Sequence, residues 1–148
     1  MGDRPARPQD TPWMMPYLMV RDVEAAQAFY EKAFGFTPGI LVNGPDGKPG
    51  HGESHYQDQR VMYGRPCGTD PDRVAPAVSE TPSAIGMFFY VEDIDAAYQR
   101  ALEAGCEAQM DPANMFWGDR IGTVIDPDGY NWTLATNVAD FDPANLPH

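Results

Sequence analysis

Two stretches of this chain carry nearly the same pattern: YLMVRDVEAAQAFYEKAFG at residues 17–35 and FFYVEDIDAAYQRALEAG at residues 88–105. Asp22 in the first corresponds to Asp93 in the second, 71 residues later (93 minus 22). In both stretches an apolar run of strand length precedes the Asp, and alanine and aromatic residues then recur at helical spacing until a Gly. Because Asp is a favourable N-cap and Gly ends helices, each stretch predicts a strand followed by a helix.

Three segments of strand length follow each predicted helix. Those of the first half are FTPGILVN (36–43), HGESHYQ (51–57) and RVMYG (60–64). Those of the second half are residues 106–110, IGTVID (121–126) and YNWTLAT (130–136), with DPANMFWGDR (111–120) as a loop and DPDG (126–129) as a turn. Each half is therefore predicted to be a βαβββ module, and the chain an internal repeat of the α+β class.

The repeat divides the chain into segments with different roles. We expect residues 1–12 to be a disordered lead-in, 13–64 the first module, 65–83 a linker rich in Pro and Gly, 84–137 the second module and 138–148 a C-terminal tail. In each module one helix covers one face of a sheet and leaves the other face uncovered. Two such sheets are expected to form an incomplete barrel around a concave cavity, the kind of space in which small molecules bind.

Charge and composition exclude some classes of partner. The formal net charge of −12 argues against nucleic acid, which requires a basic surface. It fits solubility or adaptation to high salt, or the attraction of a cationic ligand. No apolar run approaches the roughly 20 residues that span a bilayer, and MGDRPARPQDTP at the start has no apolar segment typical of a secretion signal. Because Cys67 and Cys106 form no CxxC pair, we expect free thiols. Taken together, these features predict a cytoplasmic protein without a membrane partner.

Three segments resemble the vicinal oxygen chelate superfamily, which includes glyoxalase I, extradiol dioxygenases, fosfomycin-resistance proteins and bleomycin-resistance proteins. They are MVRDVEAAQAFYEKAFGF (19–36), YVEDIDAAYQRALEAG (90–105) and FWGDRIGTVIDPDGYNWTL (116–134). The resemblance covers most of residues 14–136 and implies the paired-module fold. The bleomycin-resistance proteins further imply a homodimer that binds its ligand in grooves between the subunits. Because this fold serves many chemistries, the function must be inferred from the site.

In the metal-using members of this superfamily, four ligands come from equivalent positions on the first and last strands of the two modules. The resemblance carries these positions onto Met15, Met62, Gly86 and Thr133. Zn²⁺ and Fe²⁺ prefer imidazole, carboxylate or thiolate ligands, and none of the four residues supplies one. The sequence therefore predicts a cavity without metal or cofactor. It argues against glyoxalase I, extradiol dioxygenase and metal-dependent fosfomycin transferase activities.

Residues that share a strand face with these four positions are expected to line the cavity, because side chains alternate between the two faces. With the FWGDR loop they form a lining rich in aromatic and Met side chains, which suits flat or cationic ligands. The alternative is that they only pack the protein interior. The predicted ligand contacts are Tyr17, Met19, Met62, Phe88, Tyr90, Trp117, Arg120, Asn131 and Thr133.

The FWGDR loop and Trp132 carry separate predictions. Trp117 and Phe116 are expected to form a lid that an ion pair between Asp119 and Arg120 fixes, or else to pack structurally in the loop. Arg120 could instead hold an anionic group of the ligand. Trp132 alternates with Thr133 and is expected to pack against a helix as core.

A polar cluster stands out in HGESH. His51, Glu53 and His55 lie two residues apart, so on a strand all three point to one face. They are consistent with a metal triad, with an acid–base pair in which Glu53 orients a His, with polar contacts to a ligand, or with an ordinary solvated face. These three residues are the candidate catalytic residues.

Three functions remain open from the sequence. The first is a protein that sequesters or carries a small aromatic or cationic molecule in a metal-free cavity, as in drug resistance. The second is a lyase, isomerase or dioxygenase-like enzyme that uses the non-standard His51, Glu53 and His55 site. The third is a structural or regulatory protein whose pocket is vestigial.

Overall fold

The structure is a computed structural model that describes residues 2–147. The two outermost positions of the predicted lead-in and tail, residues 1 and 148, lie outside the described residues. The elements of the first half are β1 (Tyr17–Met19), α1 (Val23–Phe34), β2 (Thr37–Asn43), β3 (Pro49–Tyr56) and β4 (Gln59–Gly64). Those of the second half are a short helix α2 (Pro76–Ser79), β5 (Gly86–Tyr90), α3 (Ile94–Ala104), β6 (Glu107–Asn114), β7 (Asp119–Ile125) and β8 (Asn131–Asn137). A 3₁₀ turn (Pro143–Asn145) follows β8.

The chain folds as two compact units, divided between Ala75 and Pro76. Each unit contains one open four-stranded sheet, in the order β1-β4-β3-β2 and β5-β8-β7-β6. In both sheets the first strand runs parallel to the last, and the other neighbours are antiparallel. The prediction of an α+β fold built from two βαβββ repeats is therefore confirmed.

The two long helices begin and end where the sequence predicts. The Asp22 carboxylate accepts a hydrogen bond from the Ala25 amide at 2.8 Å, and the Asp93 carboxylate accepts one from the Ala96 amide at 3.2 Å. Both helices end at a Gly in the left-handed conformation, with φ of 70° at Gly35 and 117° at Gly105. A side chain with a Cβ rarely adopts this backbone conformation, so the caps fix both helix boundaries locally.

One face of each helix is buried in its own unit. The buried apolar residues of α1 include Val23 and Tyr30, and those of α3 include Ile94 and Tyr98. Trp132 of β8 is 2% exposed and belongs to this core, as predicted. Within residues 2–147 no helix has the length and apolar character needed to cross a bilayer.

Strand β1 is shorter than the apolar run around it. The run WMMPYLMV covers residues 13–20, but the strand begins only at Tyr17. Proline has no N–H to donate to a sheet, so Pro16 contributes only its carbonyl, which accepts from the Met62 amide at 3.0 Å. Trp13 and Met14, upstream of this proline, are exposed.

Strand β6 is longer than predicted. Asp111 and Pro112 were expected to open a loop, but β6 continues through them to Asn114. Proline is tolerated in edge strands and at bulges, and β6 is both the sheet edge and irregular in register between Met110 and Ala113. As a consequence the loop shrinks to residues 115–118, and β7 begins at Asp119.

The predicted linker has structure in its second half. Helix α2 lies within it, and the Ala77 amide donates to the Asp128 carbonyl at 2.9 Å, which attaches α2 to the turn before β8. The unit boundary after Ala75 also falls inside the predicted linker. The segment bounds given above remain predictions.

Candidate functional site

The two faces of each sheet differ in what covers them. One face packs on a helix: a Cβ at Gly52 would lie 2.9 Å from Val23 of α1, and one at Gly122 would lie 3.0 Å from the Tyr98 ring of α3. We call the opposite side the open face. In the first sheet it carries the row Tyr17, Met62 and Glu53 across β1, β4 and β3. In the second sheet the corresponding row is Phe88, Thr133 and Thr123.

A chain of hydrogen bonds crosses the open face of the first sheet. The Tyr17 hydroxyl lies 3.1 Å from His51 Nδ1, and His51 Nε2 lies 3.2 Å from Glu53 Oε1. The second Glu53 oxygen is 3.6 Å from Arg60 Nη1. The structure thus joins Tyr17, predicted to contact ligand, to two of the three predicted catalytic candidates, and it adds Arg60, which the sequence did not single out.

The chemistry of Glu53 orients the whole chain. A glutamate carboxylate in its ordinary ionised form only accepts hydrogen bonds, and the Arg60 guanidinium lies 3.6 Å from the second Glu53 oxygen. His51 therefore donates from Nε2 to Glu53 and keeps its lone pair on Nδ1. The Tyr17 hydroxyl then donates to Nδ1. Proton donation runs in one direction, from Tyr17 through His51 to Glu53.

His55 is not part of this chain. Its ring lies over Gly39 of β2, where a Cβ would be 2.8 Å from His55 Nε2. Among the residues that the structure describes, no three His, Cys, Asp or Glu side chains are placed to hold a metal ion together. His51, Glu53 and His55 share one strand face, but their geometry favours an acid–base pair over a metal triad.

The four superfamily metal positions do not fit a hard divalent ion. Met62 lies on the open face of the first sheet, and Met15 lies half-buried just before β1. Gly86 has no side chain, and the Thr133 hydroxyl already shares a hydrogen bond with Thr123 Oγ1 at 2.8 Å. Two thioethers, a glycine and an engaged hydroxyl are not a ligand set for Zn²⁺ or Fe²⁺.

The open face of the second sheet is aromatic. Phe88 and Tyr90 are 50% and 55% exposed, and their ring centroids are 5.6 Å apart in an edge-to-face arrangement. Asn131 and Thr133 lie beside them on β8, both half-buried. Met19, the counterpart of Tyr90 in the first sheet, is buried. The predicted aromatic contacts of the second module are therefore accessible.

Asp119 organises one end of this aromatic face. Its carboxylate accepts from the Tyr90 hydroxyl at 2.8 Å, from Trp117 Nε1 at 2.9 Å and from Asn137 Nδ2 at 3.1 Å. Burial alone would raise the pKa of Asp119, but the hydrogen bonds from Asn137, Tyr90 and Trp117 outweigh it and lower the pKa. The hydrogen bond to Asp119 in turn raises the pKa of Tyr90. Trp117 is thus held in place by a buried carboxylate.

Arg120 points away from the open face. Its guanidinium binds Asp95 of α3, with a shortest distance of 3.0 Å, and Asn114 Oδ1 at 3.2 Å. The hydrogen bond that Arg120 donates to Asp95 raises the pKa of Arg120. The predicted ion pair with Asp119 is wrong, because residues 119 and 120 are neighbours in β7 and their side chains leave the strand on opposite faces. This placement argues against Arg120 as a ligand contact.

Cavities lie within each unit, and two of them border residues predicted for the site. One of about 670 Å³ in the first unit is bounded by the segment before β1 and the end of the β3–β4 hairpin, including Arg7, Trp13, His55, Gln57 and Arg60. One of about 250 Å³ in the second unit is bounded by α2 and by the start of β8 at Asn131. The first cavity shares Arg60 with the hydrogen-bonded chain.

Both cysteines are free, as expected. The pKa of the Cys106 thiol is raised to about 12, mainly by burial and to a smaller extent by the charge of Asp126. This thiol is therefore unreactive. Cys67 is exposed, and a hydrogen bond with Thr69 lowers its pKa.

Sequence reasoning missed Arg60 and also Gly64, which lies beside the Tyr17 hydroxyl, and it named Asp119 only as an ion-pair partner of Arg120. Arg60 and Gly64 become recognisable only when β4 is aligned with β3, because they face residues of another strand. Asp119 had an available signal. Strand alternation from residue 119 would have separated it from Arg120 and aimed it at the face of Tyr90.

Comparison with known proteins agrees with the architecture. The family model described as Glyoxalase/Bleomycin resistance protein/Dioxygenase superfamily matches residues 12–134. An uncharacterised protein of Mycobacterium bovis, Mb0911c, is 35% identical over 134 residues, covering 87% of this chain and 86% of the relative.

Solved structures of the same superfamily are also similar. A member from Sphaerobacter thermophilus has a TM-score of 0.63 and 26% identity, covering 82% of this chain and 93% of the other. TnmS3, an antibiotic binding protein from Streptomyces sp. CB03234, has a TM-score of 0.60 and 25% identity, covering 81% and 90%. With the matched family model and the repeated sheets, these likenesses place the chain in a known group: it belongs to the glyoxalase/bleomycin resistance protein/dioxygenase superfamily.

Proposed function

We propose that this protein binds a small aromatic or cationic molecule without using a metal, in the manner of a sequestration or resistance protein. The observation that carries the proposal is the exposed edge-to-face pair of Phe88 and Tyr90 on the open face of the second sheet. Aromatic faces attract flat rings and cations, so an exposed aromatic pair on a sheet face suits a ligand. The net charge of −12 would further favour a cationic ligand.

Two further observations support a binding role. The superfamily metal positions hold Met15, Met62, Gly86 and Thr133, which offer no ligand set for the usual metal chemistry. TnmS3, which is similar to this chain in fold and at 25% identity, is an antibiotic binding protein. We propose no cofactor for the binding function.

The proposal includes the wider setting of the protein. We expect a homodimer, because the exposed apolar side chains on the sheets need cover and a two-fold pair is the simplest way to supply it. Free cysteines fit the cytoplasm, and neither nucleic acid nor membrane is an expected partner. Sedimentation equilibrium that gives only the monomer mass would contradict the dimer.

The experiment compares two phenylalanines of equal exposure. Thermal shift and calorimetric titration would use bleomycin as a cationic aromatic antibiotic, the glutathione–methylglyoxal adduct and catechol. A ligand of the native state raises the melting temperature by mass action. Phe88→Ala should weaken binding of the active probe about tenfold. Phe141→Ala, at 51% exposure against 50% for Phe88, is the matched control and should bind normally.

The proposal predicts a specific contrast in that experiment. Failure of all three probes to shift the melting temperature would contradict it. So would equal losses in Phe88→Ala and Phe141→Ala, because a loss at both positions would reflect general surface damage.

A second candidate is a lyase, isomerase or dioxygenase-like enzyme of the same superfamily. The hydrogen bond of 3.2 Å between His51 Nε2 and Glu53 favours it, because a carboxylate that orients an imidazole is a common acid–base arrangement. Elemental analysis of the purified protein distinguishes a metal-dependent enzyme from one that uses acid–base catalysis without a metal. Stoichiometric Zn, Fe, Mn or Ni that is lost in His51→Ala and Glu53→Ala would establish a metal enzyme, and its absence would leave only the acid–base form.

A further inference from the structure

The chain of hydrogen bonds on the first sheet has an exposed end and a sheltered end. Tyr17 is 40% exposed, the His51 side chain 27% and the Glu53 side chain 12%. Each distance between neighbours is 3.1 to 3.2 Å. The three residues come from two strands, with 34 positions between Tyr17 and His51. The hydroxyl of Tyr17 is the member of the chain that a molecule on the open face reaches first.

We infer that Tyr17 is a catalytic residue that exchanges a proton with a bound molecule bearing an acidic O–H or C–H, as in a phenol or an enolisable ketone. His51 and Glu53 are positioning residues that make this exchange possible. The inference rests on the proposed binding of a small molecule and adds a chemical step to it. It uses neither a metal nor the four superfamily metal positions.

The proton balance follows from the direction of the hydrogen bonds. The O–H or C–H bond of the ligand breaks as its proton forms a new O–H bond at Tyr17 Oη. The original Tyr17 O–H bond breaks at the same time, and that proton forms an N–H bond at His51 Nδ1. The ligand is left as a phenolate or enolate, and the resulting imidazolium lies against the Glu53 carboxylate. The step involves no oxidation or reduction. Return of the proton to a different ligand atom would isomerise the ligand. In this scheme the oriented imidazole activates the Tyr17 hydroxyl as a general base does.

Gly64 supplies independent support. A Cβ at this position would lie 2.5 Å from Tyr17 Oη, so the hydroxyl occupies space that only glycine leaves open. Gly64 also pairs directly with His51 across β3 and β4. The absence of a side chain at residue 64 therefore permits the approach of Tyr17 to His51.

The second module lacks the whole arrangement. By strand pairing, Phe88 stands where Tyr17 does, and Ala135 stands where Gly64 does. Ile121 takes the place of His51, since it pairs with Ala135 as His51 pairs with Gly64. The hydroxyl, the imidazole and the open space all occur in one module and all are missing from the other. A functional proton relay would require the hydroxyl, the imidazole and the space beside them to occur together, as they do in the first module.

The first test determines which ring nitrogen of His51 carries the proton. It uses NMR of protein with ¹⁵N-labelled histidine at about pH 8.5, where an ordinary imidazole is neutral. His51 should carry its proton on Nε2. Glu53→Gln should lose that preference, and Tyr17→Phe should shift the Nδ1 resonance while Nε2 keeps its proton. A proton on Nδ1 of His51 in the unaltered protein would overturn the inference.

The second test measures proton exchange with hydroxyacetone and 4-nitroacetophenone in D₂O, as deuterium uptake at carbon by ¹H NMR. The unaltered protein should accelerate uptake over buffer, and Tyr17→Phe should reduce the acceleration at least tenfold. Tyr98→Phe is the matched control, because its hydroxyl also donates a hydrogen bond, to the Asp111 carboxylate at 3.0 Å, but lies outside the site. Its rate should not change.

Gly64→Ala removes none of the hydrogen-bonding groups and should displace the Tyr17 hydroxyl, which is the nearest atom to the new Cβ. It should reduce the exchange rate nearly as much as Tyr17→Phe does. Gly50→Ala on β3 is its control, because a Cβ there meets nothing closer than 3.6 Å. No acceleration by the unaltered protein, or equal acceleration by Tyr17→Phe, overturns the inference. The Phe88→Ala titration judges the binding proposal separately, so the two can fail independently.

Discussion

The two modules agree on the side of the sheet that faces the helix and differ on the side that does not. Both helices have an Asp N-cap and a left-handed Gly at the end, and both sheets have the same strand order. Both also carry a glycine at the same place on the third strand, Gly52 in one and Gly122 in the other, where the helix side approaches closely. The shared side is the one that specifies the fold.

The open faces have different chemistry. The pairs at equivalent strand positions, first module against second, are Tyr17 and Phe88, Met62 and Thr133, Gly64 and Ala135, His51 and Ile121, and Glu53 and Thr123. The first face holds a hydrogen-bonded polar chain, and the second holds an exposed aromatic pair next to the buried Asp119. A repeated fold thus offers two surfaces whose chemistry differs while the helix-facing side stays alike, and one scaffold can in this way serve many functions.

The largest effect should come from the shared side. Leu134→Ala, at a residue 1% exposed on the helix side of β8, should lower the free energy of unfolding by about 2–5 kcal/mol, because a buried side chain is removed and leaves a cavity. Thr133→Ala, its neighbour on the open face, should cost at most about 1.5 kcal/mol for one hydrogen bond with Thr123. Urea unfolding followed by circular dichroism measures both. Similar losses would contradict the division of roles between the two faces.

The glycines on the third strands sharpen the comparison. Gly52→Ala should destabilise by about 1–3 kcal/mol, because its Cβ would lie 2.6 Å from the Tyr63 ring and 2.9 Å from Val23. Gly122→Ala should cost less, because the nearest atom to its Cβ is a Tyr98 ring carbon at 3.0 Å. The same unfolding measurement ranks the two. A larger loss at Gly122 would show that the second helix approaches its sheet more closely.

Asp119 tests what holds the aromatic end of the second face. Asp119→Asn should lower the free energy of unfolding at pH 7 by about 1–3 kcal/mol, because an amide nitrogen would face donors that the carboxylate now satisfies. Asp111→Asn, at an exposed carboxylate with one tyrosine donor, is the control and should cost less.

The effect of Asp119 should depend on pH in one direction. Because its pKa is lowered in the folded protein, its contribution is present above about pH 4 and is lost as pH falls through the folded pKa. The difference between the unaltered protein and Asp119→Asn should therefore shrink below about pH 4 in unfolding experiments at several pH values. A difference that grows on acidification would contradict the lowered pKa.

The smallest effect is expected at Arg120. Since its guanidinium pairs with Asp95 on the helix side of the second sheet, Arg120→Ala should change the Kd of a bound probe by no more than about twofold. Calorimetric titration beside Phe88→Ala measures it. A tenfold loss would restore Arg120 as a ligand contact and would require the side chain to leave Asp95.

Much of the fold could be predicted because its signals are local. The offset of 71 residues between Asp22 and Asp93 revealed the repeat, and the capping residues set the helix boundaries to the residue. The continuation of β6 through Pro112 was missed, because a proline looks like a strand terminator unless the strand is known to be a sheet edge.

The candidate site was predicted only in part. Strand alternation placed His51, Glu53 and His55 on one face, but it did not tell which of them would meet. His51 joins Glu53, whereas His55 lies over Gly39 of the neighbouring strand. The predicted ion pair between Asp119 and Arg120 was wrong because adjacent residues of a strand point to opposite faces of the sheet.

The sequence by itself determined the repeat, the caps, the α+β class and the superfamily, because each depends on residues close together in the chain. The tertiary structure decided that Tyr17 reaches His51 over Gly64, that Asp119 gathers Tyr90, Trp117 and Asn137, and that Arg120 pairs with α3. The physical reason is that most of these contacts join elements distant in sequence, so strand register and helix packing decide them. A shift of one residue between β3 and β4 would separate Gly64 from His51, for example.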